Sequence, residues 1–311
     1  MSMVSIPEAP NGPTVYVVGD KDAGAAFGPL VDIAKKSFKT GPCEIESLPT
    51  TGEITDAERS AILEFLQDEY NARGAFIVGL ASRFLDEASD AYDEIEDACL
   101  LLGEVGVVVR RPGELRATAP RLRAATATLD RLLPKDTTEV LILGAGLDAR
   151  AVAAALSTGG CDARPDKVTI ASTDAKGLAD VRQRIETRVE QGSLEVRHVV
   201  GPAEHDRLLA LMPPRSAVIG ASVGEYGTGM ASAGAALFPT GSIVCDLLSP
   251  AGKSRILAEA VQQRGAAELV IHDSRVYTIE RRIAILEAMF GADATGAQRG
   301  ALRKALEKYA D

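Results

Sequence analysis

The stretch VLILGAGLDARAVAAAL, Val140 to Leu156, decides the fold. Apolar residues from Val140 to Leu143 read as a buried strand, two glycines one residue apart follow, and an alanine-rich helical pattern closes the segment. Gly144 and Gly146 take the first two places of a Gly-x-Gly-x-x-Gly turn and Ala149 takes the third. The first glycine makes the tight turn and the second lets the backbone approach a pyrophosphate. The third place needs only a small residue where helix packs on strand, and Ala149 meets that need. Unpaired N–H groups and the helix dipole at the N-terminus favour an anion, so Gly144, Ala145, Gly146, Leu147, Asp148 and Ala149 are candidate cofactor ligands. Asp148 argues against this reading, because its carboxylate would face the phosphates unless it points away.

Downstream, strands KVTIAS, LEVRHVV, AVIGAS and SIVCDL alternate with helical segments, the succession of a doubly wound sheet. Ribose selection falls at the end of the second strand, where Ser172, Thr173 and Asp174 offer two hydroxyls and a carboxylate but no arginine. That set suits the ribose of NAD and leans against the 2′-phosphate of NADP, although Lys176 could reach a phosphate. An ordinary helix N-cap explains the same three residues equally well. The glycine-rich run GASVGEYGTGMASAGAAL, Gly220 to Leu237, includes Ala221, Ser222 and Val223, which could line the nicotinamide side, although a surface loop explains the run equally well.

Upstream, TVYVVG, CEIESL and GAFIVGL read as strands separated by helical spacing, from Gly28 to Lys39 and then from an N-cap at Asp56. DEASDAYDEIEDACLLLG is acidic and compatible with helix, and GVVVRRPGELRAT resembles a hairpin turning at Pro112-Gly113. Helix follows from Ala119 to Leu133, and a long helical stretch from Val276 to Tyr309 breaks near GADATG. The expected class is α/β, with an N-terminal α/β domain over 1–120, a Rossmann domain over 121–273 and a C-terminal helical segment, 274–311, that packs back on the N-terminal domain.

The 311 residues, 46% hydrophobic, suffice for two domains with their own cores, and the net charge of −10 opposes binding to nucleic acid or an anionic membrane. Cys43, Cys99, Cys161 and Cys245 form no CxxC pair and read as buried thiols in a reducing compartment. No apolar run approaches the roughly 20 residues that span a bilayer, and a cytoplasmic protein is expected. His198, His205 and His272 share no face, which speaks against a metal site.

In order and spacing these segments resemble the shikimate dehydrogenase family. TVYVVGDKDAG is similar to its opening strand and turn, LGEVGVVVRRPGEL to its Gly-Ala-Val-Asn-Thr segment with hairpin, and PTGSIVCDLLSP to its last Rossmann strand. HDSRVYTIERRIAILEAMFG is similar to its closing strand, loop and helix. The resemblance implies a substrate domain, a Rossmann domain binding NAD or NADP, and a small-molecule substrate. Family members are often dimers, so a homodimer is one expectation.

The family's functional residues are not matched. The Ser-x-Ser that holds the substrate carboxylate is absent from DKDAGAAFGP, Phe76 stands for an asparagine and Ser82 for the catalytic lysine. Arg121 stands for the lysine's aspartate partner, Arg281 for a substrate-binding glutamine and Gly106 for the asparagine of Gly-Ala-Val-Asn-Thr. Hydride transfer from an alcohol needs a proton acceptor, and an unactivated serine is none at neutral pH. Shikimate oxidation is therefore not expected. Arg121 and Arg281, with Arg83 and Arg282 near them, could instead hold a small anionic substrate, since arginine binds carboxylates and phosphates by paired hydrogen bonds. Solvated helix faces, or pairing with nearby acids such as Glu280 and Asp273, account for these arginines more readily than a ligand does. Candidates for the proton step are Ser82, Lys21 and Tyr277, with Asp20, Asp22 and His272 nearby. Two readings follow: an NAD(P)-dependent oxidoreductase with another substrate, or a catalytically inactive nucleotide- or metabolite-binding protein of regulation or assembly.

Overall fold

The computed structural model describes residues 12–20, 23–50, 54–86, 89–189, 193–221, 237–249, 253–291 and 294–309. Two compact units emerge, one of residues up to Arg121 together with Arg281–Tyr309, the other of Leu122–Glu280.

The first unit opens with β1 (Thr14–Gly19), whose six residues carry no polar break, and continues through α1 (Ala23–Phe38), β2 (Glu44–Pro49), α2 (Asp56–Asp68) and β3 (Ala72–Ile77). Then come α3 (Arg83–Asp86), β4 (Glu94–Ile95), α4 (Asp97–Leu102), β5 (Val107–Arg111), β6 (Glu114–Thr118) and the start of α5 (Pro120–Leu132). The sheet order is β2-β1-β3-β5-β6-β4, with the β1 pairs parallel and β5 antiparallel to both neighbours. The expected hairpin forms, Arg111 facing Glu114 across Pro112-Gly113.

Three local expectations are corrected. Helix α1 begins at Ala23, before Gly28, and runs through Pro29, which removes one helical N–H bond without ending the helix. Thr55, not Asp56, caps α2: its side chain takes the Glu58 N–H while Glu58 reaches back to the Thr55 N–H, a reciprocal box legible as Thr-x-x-Glu. The acidic stretch is not one helix but α3, a 3₁₀ turn, β4 and α4. Its acids bind backbone instead, Asp93 accepting from the Leu115 N–H at 2.8 Å and Glu96 from the Ala119 N–H at 3.3 Å. Those bonds dock the segment on β6, an alternative that helix periodicity does not reveal.

The second unit runs β7 (Glu139–Leu143), α6 (Leu147–Ser157), β8 (Lys167–Ser172), α7 (Ala175–Arg184), β9 (Leu194–His198), α8 (Pro202–Leu211), β10 (Ala217–Gly220), β11 (Ile243–Asp246), α9 (Arg255–Ala267), β12 (Val270–His272) and the start of α10 (Arg275–Phe290). All pairs are parallel and the order is β12-β11-β10-β7-β8-β9, the doubly wound arrangement with its switch point between β7 and β10. Helix α6 is buried continuously from Asp148 to Leu156, which explains its alanines: only small side chains let a helix lie so close to a sheet. Helix α7 stops at Arg184, where Ile185, Thr187 and Val189 bring weaker helix formers and a 3₁₀ turn.

Past Glu280 the chain belongs to the first unit, where α11 (Gly296–Leu306) packs on α1. Leu302 and Leu306 are fully buried, Gln298 donates to the Ser37 carbonyl at 3.4 Å, and the Phe38 and Phe290 rings lie 6.3 Å apart. Helix α10 is therefore divided, Arg275 to Glu280 counting with the second unit and Arg281 onwards with the first. No helix among the described residues is long and apolar enough to cross a membrane.

Candidate functional site

In the second unit the candidate site is the turn at the carboxyl end of β7. Gly144 sits at φ +123°, a conformation that L side chains rarely adopt, and its N–H binds the Ala171 carbonyl of β8 at 2.8 Å. Gly146 is the N-cap of α6, makes no side-chain cap and is exposed, and a Cβ added there meets nothing within 4 Å. The first helical bond is Arg150 N–H to Gly146 O at 2.9 Å, so the N–H groups of Leu147, Asp148 and Ala149 have no acceptor within the helix. Ala145 and Ala149 are buried.

From below, α7 closes tightly on this turn. A Cβ at Gly177 would stand 2.8 Å from the Ala145 carbonyl oxygen and 2.9 Å from its Cβ, so only glycine lets the second helix reach the turn. Sequence reasoning passed over Gly177, although a glycine in the first turn of a helix is a signal of close approach.

At the end of β8, Ser172 is buried and accepts the Asp174 N–H at 3.1 Å, while Asp174 Oδ1 accepts the Gly177 N–H at 3.0 Å. Asp174 is therefore an N-cap, yet it remains exposed on the rim beside Lys176. Thr173 Oγ1 is buried without a hydrogen-bond partner among the described residues. Ala221, at the end of β10, is buried and gives its N–H to the Leu143 carbonyl at 2.9 Å, which sets it beside the turn; Ser222 and Val223 lie outside the described residues.

The carboxylate of Asp148 points inward. It accepts the hydroxyl proton of Tyr277 from α10, and both residues are buried. Three residues on, Glu280 is also buried and takes Arg131 of α5 at 2.8 Å. Arg150 pairs with Asp180 of α7 at 3.5 Å.

The first unit holds the residues expected for substrate. Arg121 Nε donates to both oxygens of Glu104 at 2.9 and 3.0 Å, and the acid is 1% exposed. Phe76 is buried and stacks on Phe27 with ring centroids 4.8 Å apart. Ser82 is exposed in a turn, and Arg83 beside it is exposed as well. Arg281 is half-buried and makes no ion pair among the described residues; Arg282 donates to the Tyr309 carbonyl, with burial lowering its pKa. Lys21 and Asp22 lie outside the described residues. Among the described residues no group of His, Cys, Asp or Glu could hold a metal ion.

No protein-family model and no curated protein sequence matches the chain. Solved structures do. Quinate dehydrogenase from Corynebacterium glutamicum, in complex with NAD, is 16% identical over 96% of this chain and 99% of that one, with a TM-score of 0.71. The 5-ketofructose reductase of Gluconobacter sp. gives 17% identity, 96% and 99% coverage and a TM-score of 0.68. Shikimate 5-dehydrogenase from Thermus thermophilus, in complex with NADP(H) and shikimate, gives 18%, 96%, 100% and 0.65. The chain shares the fold of these solved structures. At these identities the likeness extends to architecture alone.

Proposed function

We propose that the protein is an NAD(P)-dependent oxidoreductase of shikimate dehydrogenase-like fold, acting on a small anionic substrate other than shikimate. The observation that carries this reading is the turn at Gly144 to Gly146: left-handed backbone, an uncapped helix N-terminus and open space in front of Gly146, at the switch point of the sheet. A dinucleotide fits there, its pyrophosphate on the N–H groups of Leu147, Asp148 and Ala149 and its adenosine ribose towards Ser172, Thr173 and Asp174. The exposed Asp174 carboxylate, in a stretch from Ala171 to Lys176 that holds no arginine, favours NAD over NADP. A nicotinamide supplies hydride transfer when bound. The solved structures of similar fold named above include complexes with NAD and with NADP(H), which supports the same cofactor class.

On the substrate side, Arg281 is the stronger anion ligand, because the charge of Arg121 is already balanced by Glu104. Of the three groups expected for the proton step, Lys21 lies outside the described residues, Ser82 is exposed and the Tyr277 hydroxyl is held by Asp148. A homodimer, which the family resemblance implies, and a cytoplasmic location go with this reading.

Thermal-shift titration with NAD, NADP, NADH and NADPH tests it. A stabilisation growing with the logarithm of concentration is expected, and Gly146→Val should abolish it without lowering the midpoint of the free protein, since that Cβ enters open space. No shift with any of the four nucleotides would remove the reading. A second reading, nucleotide binding without catalysis, rests on Ser82: exposed and given no activating base among the described residues, it cannot replace a lysine. Nucleotide binding with no turnover on a panel of hydroxy acids and their keto forms would put that second reading first.

A further inference from the structure

Asp148 brings a negative charge to the first turn of α6, the place where a pyrophosphate would rest. A free carboxylate there would occupy the helix N-terminus and repel a second anion. The side chain is not free: the Tyr277 hydroxyl holds Oδ1, the pair is buried, and Tyr277 is fixed in the first turn of α10. Tyrosine is the fitting partner, since its rigid ring spans the distance from one helix to another and presents one donor at the end.

We infer that Tyr277 is a positioning residue for the dinucleotide: by hydrogen-bonding Asp148 it turns the carboxylate away from the phosphate path and leaves the backbone N–H groups of the turn to the ligand. The inference rests on the nucleotide-binding reading given above. It makes an asymmetric claim about two residues that share one bond. Losing the tyrosine hydroxyl releases a charge that competes with the pyrophosphate, whereas losing the charge removes the competitor altogether.

The test is a set of full-length variants, Tyr277→Phe, Asp148→Asn and the double variant, with NADH and NADPH affinities read by fluorescence and folding checked by circular dichroism. Tyr277→Phe is expected to weaken binding of the preferred nucleotide by about tenfold, the order of one partly screened like charge at the turn. Asp148→Asn should bind at least as tightly as the unaltered protein, and the double variant should match Asp148→Asn. Added salt should narrow the Tyr277→Phe deficit. Asp148→Ala serves as a second neutral variant should the amide misfold. Equal losses in Tyr277→Phe and Asp148→Asn without rescue in the double variant would overturn the inference alone, showing that the bond merely braces the turn. Unchanged affinity in all variants would overturn it as well. Failure of the unaltered protein to bind either nucleotide would overturn the inference together with the reading beneath it.

Discussion

Glu104 presents both carboxylate oxygens to a single nitrogen, Nε of Arg121, at 2.9 and 3.0 Å, and it does so with 1% of its surface exposed. Arg121 is the residue that stands where the resemblance expects an acid. The charge that arrived on α5 is thus answered by an acid from the α4–β5 connection. Removing the arginine alone strands a buried carboxylate, so Arg121→Ala is expected to cost about 3–5 kcal/mol in chemical denaturation. Replacing both residues with apolar ones, Arg121→Met with Glu104→Leu, should recover most of that loss. A single variant as stable as the double one would show that the pair carries no such charge penalty.

Gly177 offers a case in which local preference and packing give opposite signs. Alanine is the better helix former by about 1 kcal/mol, so propensity alone predicts that Gly177→Ala stabilises α7. Geometry predicts the reverse, because the new Cβ would meet Ala145 O at 2.8 Å and Asp174 Oδ2 at 2.5 Å, pushing α7 off the glycine turn. A loss of about 1–3 kcal/mol is expected, the usual cost of overpacking. Gly300→Ala in α11, where a Cβ meets nothing within 4 Å, is the control and should gain up to about 1 kcal/mol. Matching gains at both positions would refute the close approach.

The order of elements was legible because each signal was local and repeated. The apolar run Val140–Leu143, the two glycines and the alanine helix announce β7, the turn and α6 together, and each structural feature there has a sequence counterpart. The partners in the candidate site were not legible. Nothing in the sequence sets Asp148 against Tyr277 or Arg131 against Glu280, pairs separated by 129 and 149 residues, since such contacts are made only by tertiary packing. The acidic stretch before α4 failed for a related reason: Asp93 and Glu96 satisfy backbone groups of a strand that comes later in the chain. Composition showed many acids, and only the fold shows which of them are occupied.

All four cysteines are buried free thiols, as their spacing and type suggested. Burial pushes the Cys245 thiol up to about 12, with Asp246 beside it acting in the same direction, and it raises Cys43, Cys99 and Cys161 as well. The reactive species is the thiolate, so the folded protein should show almost no reaction with Ellman's reagent at pH 8 over minutes. All four should titrate at once in denaturant. A fast-reacting thiol in the native protein would contradict this burial.

Two histidines set the expected response to acid. His205 on α8 is 4% exposed, neither ring nitrogen has a hydrogen-bond partner among the described residues, and burial lowers its pKa below 6.5 against the opposing pull of Glu204 and Asp206. Burial lowers His272 in the same way, opposed by Asp273. A depressed folded pKa means that the unfolded chain binds more protons than the folded one just below 6.5. The neutral rings therefore contribute fully above that value, and stability is lost as the pH falls through the folded values. The melting temperature should decline from about pH 7 to about pH 5 before most carboxylates titrate. His205→Leu, which keeps an apolar side chain in the same place, should flatten the decline; an equally steep fall in that variant would assign the acid sensitivity to other groups.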